Sequence, residues 1–245
     1  MSGRTALTAV LAAALLCSTQ RTAAAKDPVA VLIYDGIGTT RRARVWGRVL
    51  EDEGLDNPRP NESRWRRFRR SIKLLESDEL PYARVELTIL GKTYRVRADK
   101  EGLFAVDVPG PLPVGSHRVS GRALGLERRR RQRSIDGRLL VYPAAPRTLV
   151  ISDIDDTVLQ TGVKRKLRMV WKTITSNFYK LKTYRGAPAL YQRLRKRGAA
   201  ISFVSGSPIN LYPRLRGFLA LKRFPRGPLL LKNIGTDKLT EQIKF

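Results

Sequence analysis

The pattern of apolar residues changes near residue 143, and this change limits the folds open to the chain more than any other feature. Before that point, apolar and polar residues alternate in short runs bounded by Gly, Pro or Asp, as in strands with one buried face. The clearest runs are 85–89, 94–98 and 104–108. Short strands separated by turns predict an antiparallel β-sandwich domain over residues 28–143.

Strands and helices alternate in the second half, after a linker at residues 143–146. A β-branched run from Thr148 to Ser152 predicts a strand that ends at Asp153. Proline near the start and glycine after the end mark a helix over 188–198. The remaining predicted elements are a strand over 199–204, a helix over 208–220 and a strand over 229–231. This order predicts an α/β domain with a parallel sheet over residues 148–245, whose active site lies at the carboxyl ends of its strands.

Three carboxylates, Asp153, Asp155 and Asp156, follow the first strand of this domain. Such close carboxylates repel one another and raise one another's pKa, a cost that a bound cation removes. Mg²⁺ prefers oxygen ligands and is the natural candidate. Because residues two apart in a turn can face one pocket, Asp153 can attack a phosphorus while Asp155 protonates the leaving oxygen.

The sequence Asp-Ile-Asp-Asp-Thr at 153–157, placed after a strand, resembles the first motif of the haloacid-dehalogenase superfamily of phosphohydrolases. The resemblance implies a Rossmann-like fold for the second domain. It also implies that Asp153 is the nucleophile, Asp155 the general acid and base, and Thr157 the residue that braces the turn. Asp153 and the main-chain carbonyl of Asp155 would then hold the Mg²⁺ ion.

The second strand ends at Ser205, which resembles the second motif of that superfamily. The resemblance implies that the Ser205 hydroxyl binds the transferring phosphoryl group. Gly206 and Ser207 lie in the same loop and would supply further hydrogen-bond donors.

Further segments narrow the resemblance to phosphatidate phosphatases of the yeast actin-patch type and their bacterial relatives. In the second half they are residues 185–191, 205–208, 211–213 and 224–229. The segments Tyr34–Thr39 and Gly47–Leu50 resemble the β-rich N-terminal region of those relatives. The resemblance implies a magnesium-dependent hydrolase that converts phosphatidate to diacylglycerol through an aspartyl-phosphate.

One part of that family's pattern is absent from the sequence up to Phe245. The family completes its site with a lysine and with a later acidic motif after another strand. Lys244 precedes the aromatic residue that the lysine should follow, and Asp237 and Glu241 do not end a strand. We therefore expect either a fragment of a longer product or a protein that has lost full metal binding.

The charge of the chain fits an anionic partner. Lys and Arg number 48 against 21 Asp and Glu, a formal net charge of +27, which attracts anions. Phosphomonoesters and anionic membrane surfaces are admissible partners, and the same charge fits a solvated surface with no such partner. Nucleic acid is not favoured, because no recognition motif is present. The alternatives to a lipid phosphatase are a phosphatase for a soluble ester and a catalytically silent module that binds anionic membrane.

The sequence does not decide the roles of two basic segments. Trp65, Phe68, Ile72 and Leu75 form a helical apolar stripe opposite several arginines. Such a helix either lies in an anionic headgroup region or docks its stripe on the sandwich. Residues 164–179, basic and aromatic, lie where a cap would cover the site and equally fit an ordinary solvated helix.

Residues 1–25 predict an export signal. Arg4 precedes an apolar run from Ala6 to Cys17 that is too short to span a bilayer as a mature helix, and small residues follow at 23–25. Cleavage before Lys26 would remove the single cysteine. We therefore expect a bacterial protein that is periplasmic or extracellular, either free or peripheral to a membrane.

Overall fold

The structure is a computed structural model that describes residues 28–52, 79–127, 130–145, 148–160, 179 and 181–233. The predicted export signal, the amphipathic helix at 65–75 and the basic segment at 164–168 lie outside these ranges. Asp237, Glu241 and Lys244 lie outside them as well. No helix within the described ranges is long and apolar enough to cross a membrane.

Strands of the first half form one large sheet. The nine described strands are β1 (Val29–Ile33), β2 (Gly36–Thr39), β3 (Arg42–Glu51), β4 (Arg84–Ile89), β5 (Lys92–Arg97), β6 (Leu103–Pro109), β7 (Gly115–Leu124), β8 (Gln132–Ile135) and β9 (Gly137–Tyr142). Hydrogen bonds join them in the order β5-β4-β7-β9-β2-β3-β1-β8, with β6 paired to β3.

The prediction that this half is rich in strands and mainly antiparallel is confirmed. Its pairings are antiparallel except for β1 with β8 and β2 with β9. The strands belong to one sheet rather than the two that a sandwich implies, because the ten-residue β3 pairs with β1, β2 and β6 and so links them.

Burial follows the alternation of the sequence. In β4, Val85, Leu87 and Ile89 are fully buried, while Arg84 and Thr88 are exposed. This is the period of two expected for a strand with one buried face. The strand β1 differs, since all five of its residues are buried and they contribute alternately to two core clusters.

A separate three-stranded parallel sheet forms the second half, in the order β10-β11-β12. Its elements are β10 (Leu149–Asp153), α1 (Ala187–Lys196), β11 (Ala200–Pro208), a 3₁₀ turn (Ile209–Leu211), α2 (Tyr212–Leu221) and β12 (Leu229–Lys232). The predicted strands and helices are thus present, although β11 continues through Ser205 to Pro208 with a register shift against β12. Three parallel strands do not by themselves establish the haloacid-dehalogenase-like fold, which stays a prediction.

The two halves share one core. Ala30, Leu32 and Tyr34 from the large sheet belong to the same buried cluster as Phe203 and Leu215 from the second half. The rings of Tyr34 and Tyr212 lie 4.3 Å apart, centroid to centroid. This shared core packs the large sheet against the second half of the chain.

Candidate functional site

Asp153 lies at the carboxyl end of β10, as predicted. It pairs in register with Val204 of β11, so it lies beside the residue that precedes Ser205. Ile154 is fully buried, and its N–H donates to the Val204 carbonyl over 3.1 Å. The buried Ile154 therefore anchors the start of the acidic turn, while the side of the chain that carries Asp153 is exposed.

The turn after Ile154 closes on itself. The N–H groups of Val158 and Leu159 both donate to the Ile154 carbonyl, at 3.0 and 2.9 Å. Thr157 is exposed, and the hydroxyl that ties the turn down is that of Thr183, which donates to the Val158 carbonyl over 2.5 Å. Thr183 carried no signal in the sequence, because it lies outside the motifs and reaches the turn only in the folded chain.

The structure brings Asp155 and Ser205 together. The Ser205 hydroxyl, which is buried, donates to Asp155 Oδ2 over 2.9 Å and accepts from the Ser207 N–H over 3.0 Å. Burial raises the pKa of the Asp155 carboxyl, and the negative charges of Asp153 and Asp156 raise it further, against the hydrogen bond from Ser205. These two residues, 50 positions apart, form the centre of the site.

Gly206 leaves free space beside the main chain of this loop. It is exposed, and a Cβ built on it would meet no atom within 4 Å. A ligand held at Ser205 can therefore approach the Gly206 main chain without a steric obstacle.

The carboxylates suit a divalent cation. Within the described ranges, no group of three or more His, Cys, Asp or Glu side chains is arranged to hold a metal ion. However, Mg²⁺ is commonly bound through one or two carboxylates, with water and substrate oxygens completing its shell. The exposed Asp153 offers one such carboxylate and the main-chain carbonyl of Asp155 offers a second oxygen, and the repulsion between the Asp153 and Asp155 charges is a cost that a cation would relieve. The residues present therefore fit Mg²⁺.

A buried tyrosine supports the strand that carries Asp153. Tyr191 Oη and Ser152 Oγ lie 2.5 Å apart, and both residues are buried. The Tyr191 ring also packs against Phe203 and Phe224, at centroid distances of 5.8 and 5.4 Å. This contact joins α1 to β10 directly next to Asp153.

A buried arginine of the large sheet holds the 3₁₀ turn that follows the Ser205 loop. Arg48 Nη1 donates to Asn210 Oδ1 over 2.7 Å, and its Nε donates to the Glu101 carbonyl over 3.1 Å. Arg48 also forms an ion pair with Glu79. Because Arg48 is 4% exposed, the turn is held by a desolvated charge rather than by surface contacts.

Asp35 forms a second buried polar contact between the two halves. Its carboxylate is fully buried and accepts from Arg226 Nη2 over 2.7 Å and from the Arg138 N–H over 2.9 Å. Arg216 Nε lies 3.0 Å from the same carboxylate, and the Asp35 N–H donates to Tyr212 Oη over 2.9 Å. Arg216 and Arg226 lie far along the chain from Asp35, so the sequence alone does not identify them as its partners.

The site combines two aspartates and a serine at the carboxyl ends of adjacent parallel strands. This arrangement is that of a candidate phosphohydrolase site. Residues 148–244 match the family model of the catalytic domain of phosphatidate phosphatase APP1. The resemblance inferred from the motifs is confirmed for this part of the chain.

Two other comparisons cover parts of known proteins. An uncharacterized protein of Schizosaccharomyces pombe is 28% identical over 135 residues, which are 54% of this chain and 22% of that protein. The chain therefore spans about a fifth of the length of that relative. Among solved structures, a carbohydrate acetylesterase from Xanthomonas citri aligns over 53% of this chain and 19% of its own, at 15% identity and a TM-score of 0.25. That likeness is too slight to carry an argument.

Proposed function

We propose that this chain is a magnesium-dependent phosphatidate phosphatase that hydrolyses phosphatidate to diacylglycerol and orthophosphate. The observation that supports it most is the hydrogen bond from Ser205 to Asp155 beside Asp153, at one end of two adjacent parallel strands. The family match over residues 148–244 supplies the reaction class.

The Asp153 carboxylate and the Asp155 main-chain carbonyl would hold the Mg²⁺, whose chemistry when bound is to neutralise negative charge on the phosphate. Ser205 and the Gly206 main chain would bind the phosphate oxygens. The Ser205 hydroxyl has one hydrogen to donate, so it would turn from Asp155 to the substrate when a phosphate enters.

In the first step, a carboxylate oxygen of Asp153 forms a bond to phosphorus while the bond from phosphorus to the ester oxygen breaks. The diacylglycerol oxygen leaves with the proton carried by Asp155. In the second step, Asp155 takes a proton from water as the water oxygen bonds to phosphorus. The acyl-phosphate bond breaks, orthophosphate leaves, and Asp153 is restored as a carboxylate.

A catalytically silent module that binds anionic membrane is the second candidate, and the net charge of +27 favours it. Export through residues 1–25 is compatible with both candidates. We propose that the protein acts outside the cytoplasm, at or near a membrane.

The test is phosphate release by the full chain with Mg²⁺, from phosphatidate in mixed micelles and from glycerol 3-phosphate. Asp153→Asn should lower release by a thousandfold or more, on the order of what removal of a nucleophile costs. Asp107→Asn is the matched control, because Asp107 lies in an exposed ion pair with Arg44 on the large sheet. Absence of release from the unmodified chain on both substrates, together with vesicle binding, would support the silent module instead.

A further inference from the structure

A cleft of about 350 Å³ lies between the two halves of the chain, along β12. We call it the β12 cleft. Trp46, Leu103 and Ala105 of the large sheet line one side, and Ile209, Leu230 and Leu231 line the other. In the small sheet β12 is an edge strand, so the cleft runs beside a strand whose outer edge is not covered by another described strand.

The β12 cleft begins close to the candidate phosphate site. Leu231 pairs in register with Ser205, and Ile209 follows Ser207 by two positions. Adjacent strands are about 4.8 Å apart, so the cleft starts at about 10 Å from the strand that carries Asp153. A substituent on a phosphate held at Ser205 needs to cross only the width of β12 to enter the cleft.

The lining is apolar and partly open to water. Leu230 is 43% exposed, and Trp46 and Leu103 are half-buried. One charged residue, Asp99, is part of the lining, and its Oδ1 already accepts from the backbone N–H groups of Glu101 and Leu103 at 2.8 and 2.9 Å. A concave apolar surface with few polar groups is typical of a ligand site.

A second observation points to a ligand. Tyr34 lines the β12 cleft, is 2% exposed, and its hydroxyl has no hydrogen-bond partner among the residues the structure describes. Burial also raises the pKa of Tyr34, so the hydroxyl keeps its proton and remains a donor. A buried hydroxyl without an acceptor is unfavourable, and an ester oxygen of a bound ligand would supply one.

We propose that the β12 cleft holds an acyl chain of the lipid phosphate whose headgroup lies at Asp153 and Ser205. This inference rests on the proposed function and deepens it, since it selects a lipid over a soluble phosphate ester. A protein partner fits less well, because a standard protein–protein interface buries about 800 Å² of surface on each side, which is more than a small cleft offers. The volume of the cleft lies near the lower end of the range for small-molecule sites.

The first experiment measures kcat/KM for alkyl phosphates of increasing length, from butyl to dodecyl, below their micelle concentrations. Each methylene buried in the cleft should raise kcat/KM by up to about fourfold. Ala105→Trp should flatten this dependence, because Ala105 is exposed and pairs across the strands with Trp46. Ala220→Trp is the matched control, since Ala220 is exposed on α2 and does not line the cleft.

Hydrolysis of glycerol 3-phosphate by Ala105→Trp should stay within about twofold of the unmodified chain, which shows that the variant is folded. A chain-length dependence that is absent from the unmodified protein, or that survives Ala105→Trp unchanged, would overturn the cleft inference while leaving the phosphatase proposal intact.

The second experiment measures binding without turnover, in Asp153→Asn. With Trp65 and Trp171 replaced by Phe, Trp46 is the remaining tryptophan, and a dodecyl phosphate brominated along its chain should quench its fluorescence. The same phosphate without bromine is the control. If Asp153→Asn shows quenching but the unmodified chain hydrolyses no phosphate ester, the proposed function is refuted while the cleft is supported. Absence of quenching would refute the cleft as an acyl site.

Discussion

Replacing Asp35 with Asn tests whether the buried ion-pair cluster holds the two halves together. The carboxylate is fully buried and lies within 3.0 Å of guanidinium nitrogens of both Arg226 and Arg216. Asn keeps the size of the side chain and can still accept from the Arg138 N–H, so the change removes charge and little else. Two arginines then lose the negative charge between them.

The expected loss follows from the burial of the three groups. Removing one partner of a buried ion pair costs about 3 to 5 kcal/mol, because the remaining charge is left uncompensated. The side chains of Arg226 and Arg216 are 37% and 18% exposed, so water can solvate them in part. We therefore expect a loss near the lower limit, about 3 kcal/mol of unfolding free energy.

Urea unfolding of the full chain, followed by tryptophan fluorescence, measures this loss. With a slope of about 2 kcal/mol per molar urea, the midpoint should fall by about 1.5 M. Asp107→Asn is the control, because Asp107 and Arg44 are 74% and 61% exposed and such pairs contribute at most about 1 kcal/mol. If Asp35→Asn shifts the midpoint no more than Asp107→Asn does, the buried cluster does not hold the halves together.

Two further predictions concern tyrosines. Tyr191→Phe removes one hydrogen bond of the buried Ser152 hydroxyl, which keeps its bond to the Asp153 carbonyl. It should therefore lower the unfolding free energy in urea by about 0.5 to 1.5 kcal/mol. Tyr184→Phe, at a 40% exposed position, should change it by less than about 0.5 kcal/mol, and equal effects would count against the contact. Burial raises the pKa of Tyr34 and of Tyr212 in the folded chain, so their contribution to stability is complete below the ordinary tyrosine pKa of about 10 and is lost as the pH rises above it. Urea midpoints measured from pH 8 to 12 should therefore fall more steeply above pH 10 for the unmodified chain than for Tyr212→Phe, and parallel curves would contradict the assignment.

The sequence predicts the strand ends well because hydrophobic periodicity is local. Asp153 and Ser205 each follow a run of apolar residues in the sequence, and parallel strands present their carboxyl ends at one edge, so their positions on adjacent strands follow from the pattern alone. Ile154 as an apolar anchor follows from the same reasoning.

The contacts between the halves could not be predicted in this way. Asp35 and Arg226 are 191 positions apart, and a chain with 48 Lys and Arg offers many possible partners for one carboxylate. The same holds for Arg48 and Asn210, which are 162 positions apart. The single large sheet could not be predicted either. The alternation of residues in β3 shows that this segment is a strand, but it does not show that the strand pairs with three others.

The central claim is that Asp153 bonds covalently to phosphorus, and trapping that bond tests it most directly. Full-length protein with Mg²⁺ and phosphatidate is quenched in acid during turnover, reduced with borohydride, digested and examined by mass spectrometry. Reduction converts an aspartyl-phosphate to an alcohol, so the peptide that contains residue 153 should carry the mass of that change, and Asp155 should not. Phosphate release that continues while Asp153 stays unmodified in every quenched sample would contradict the account.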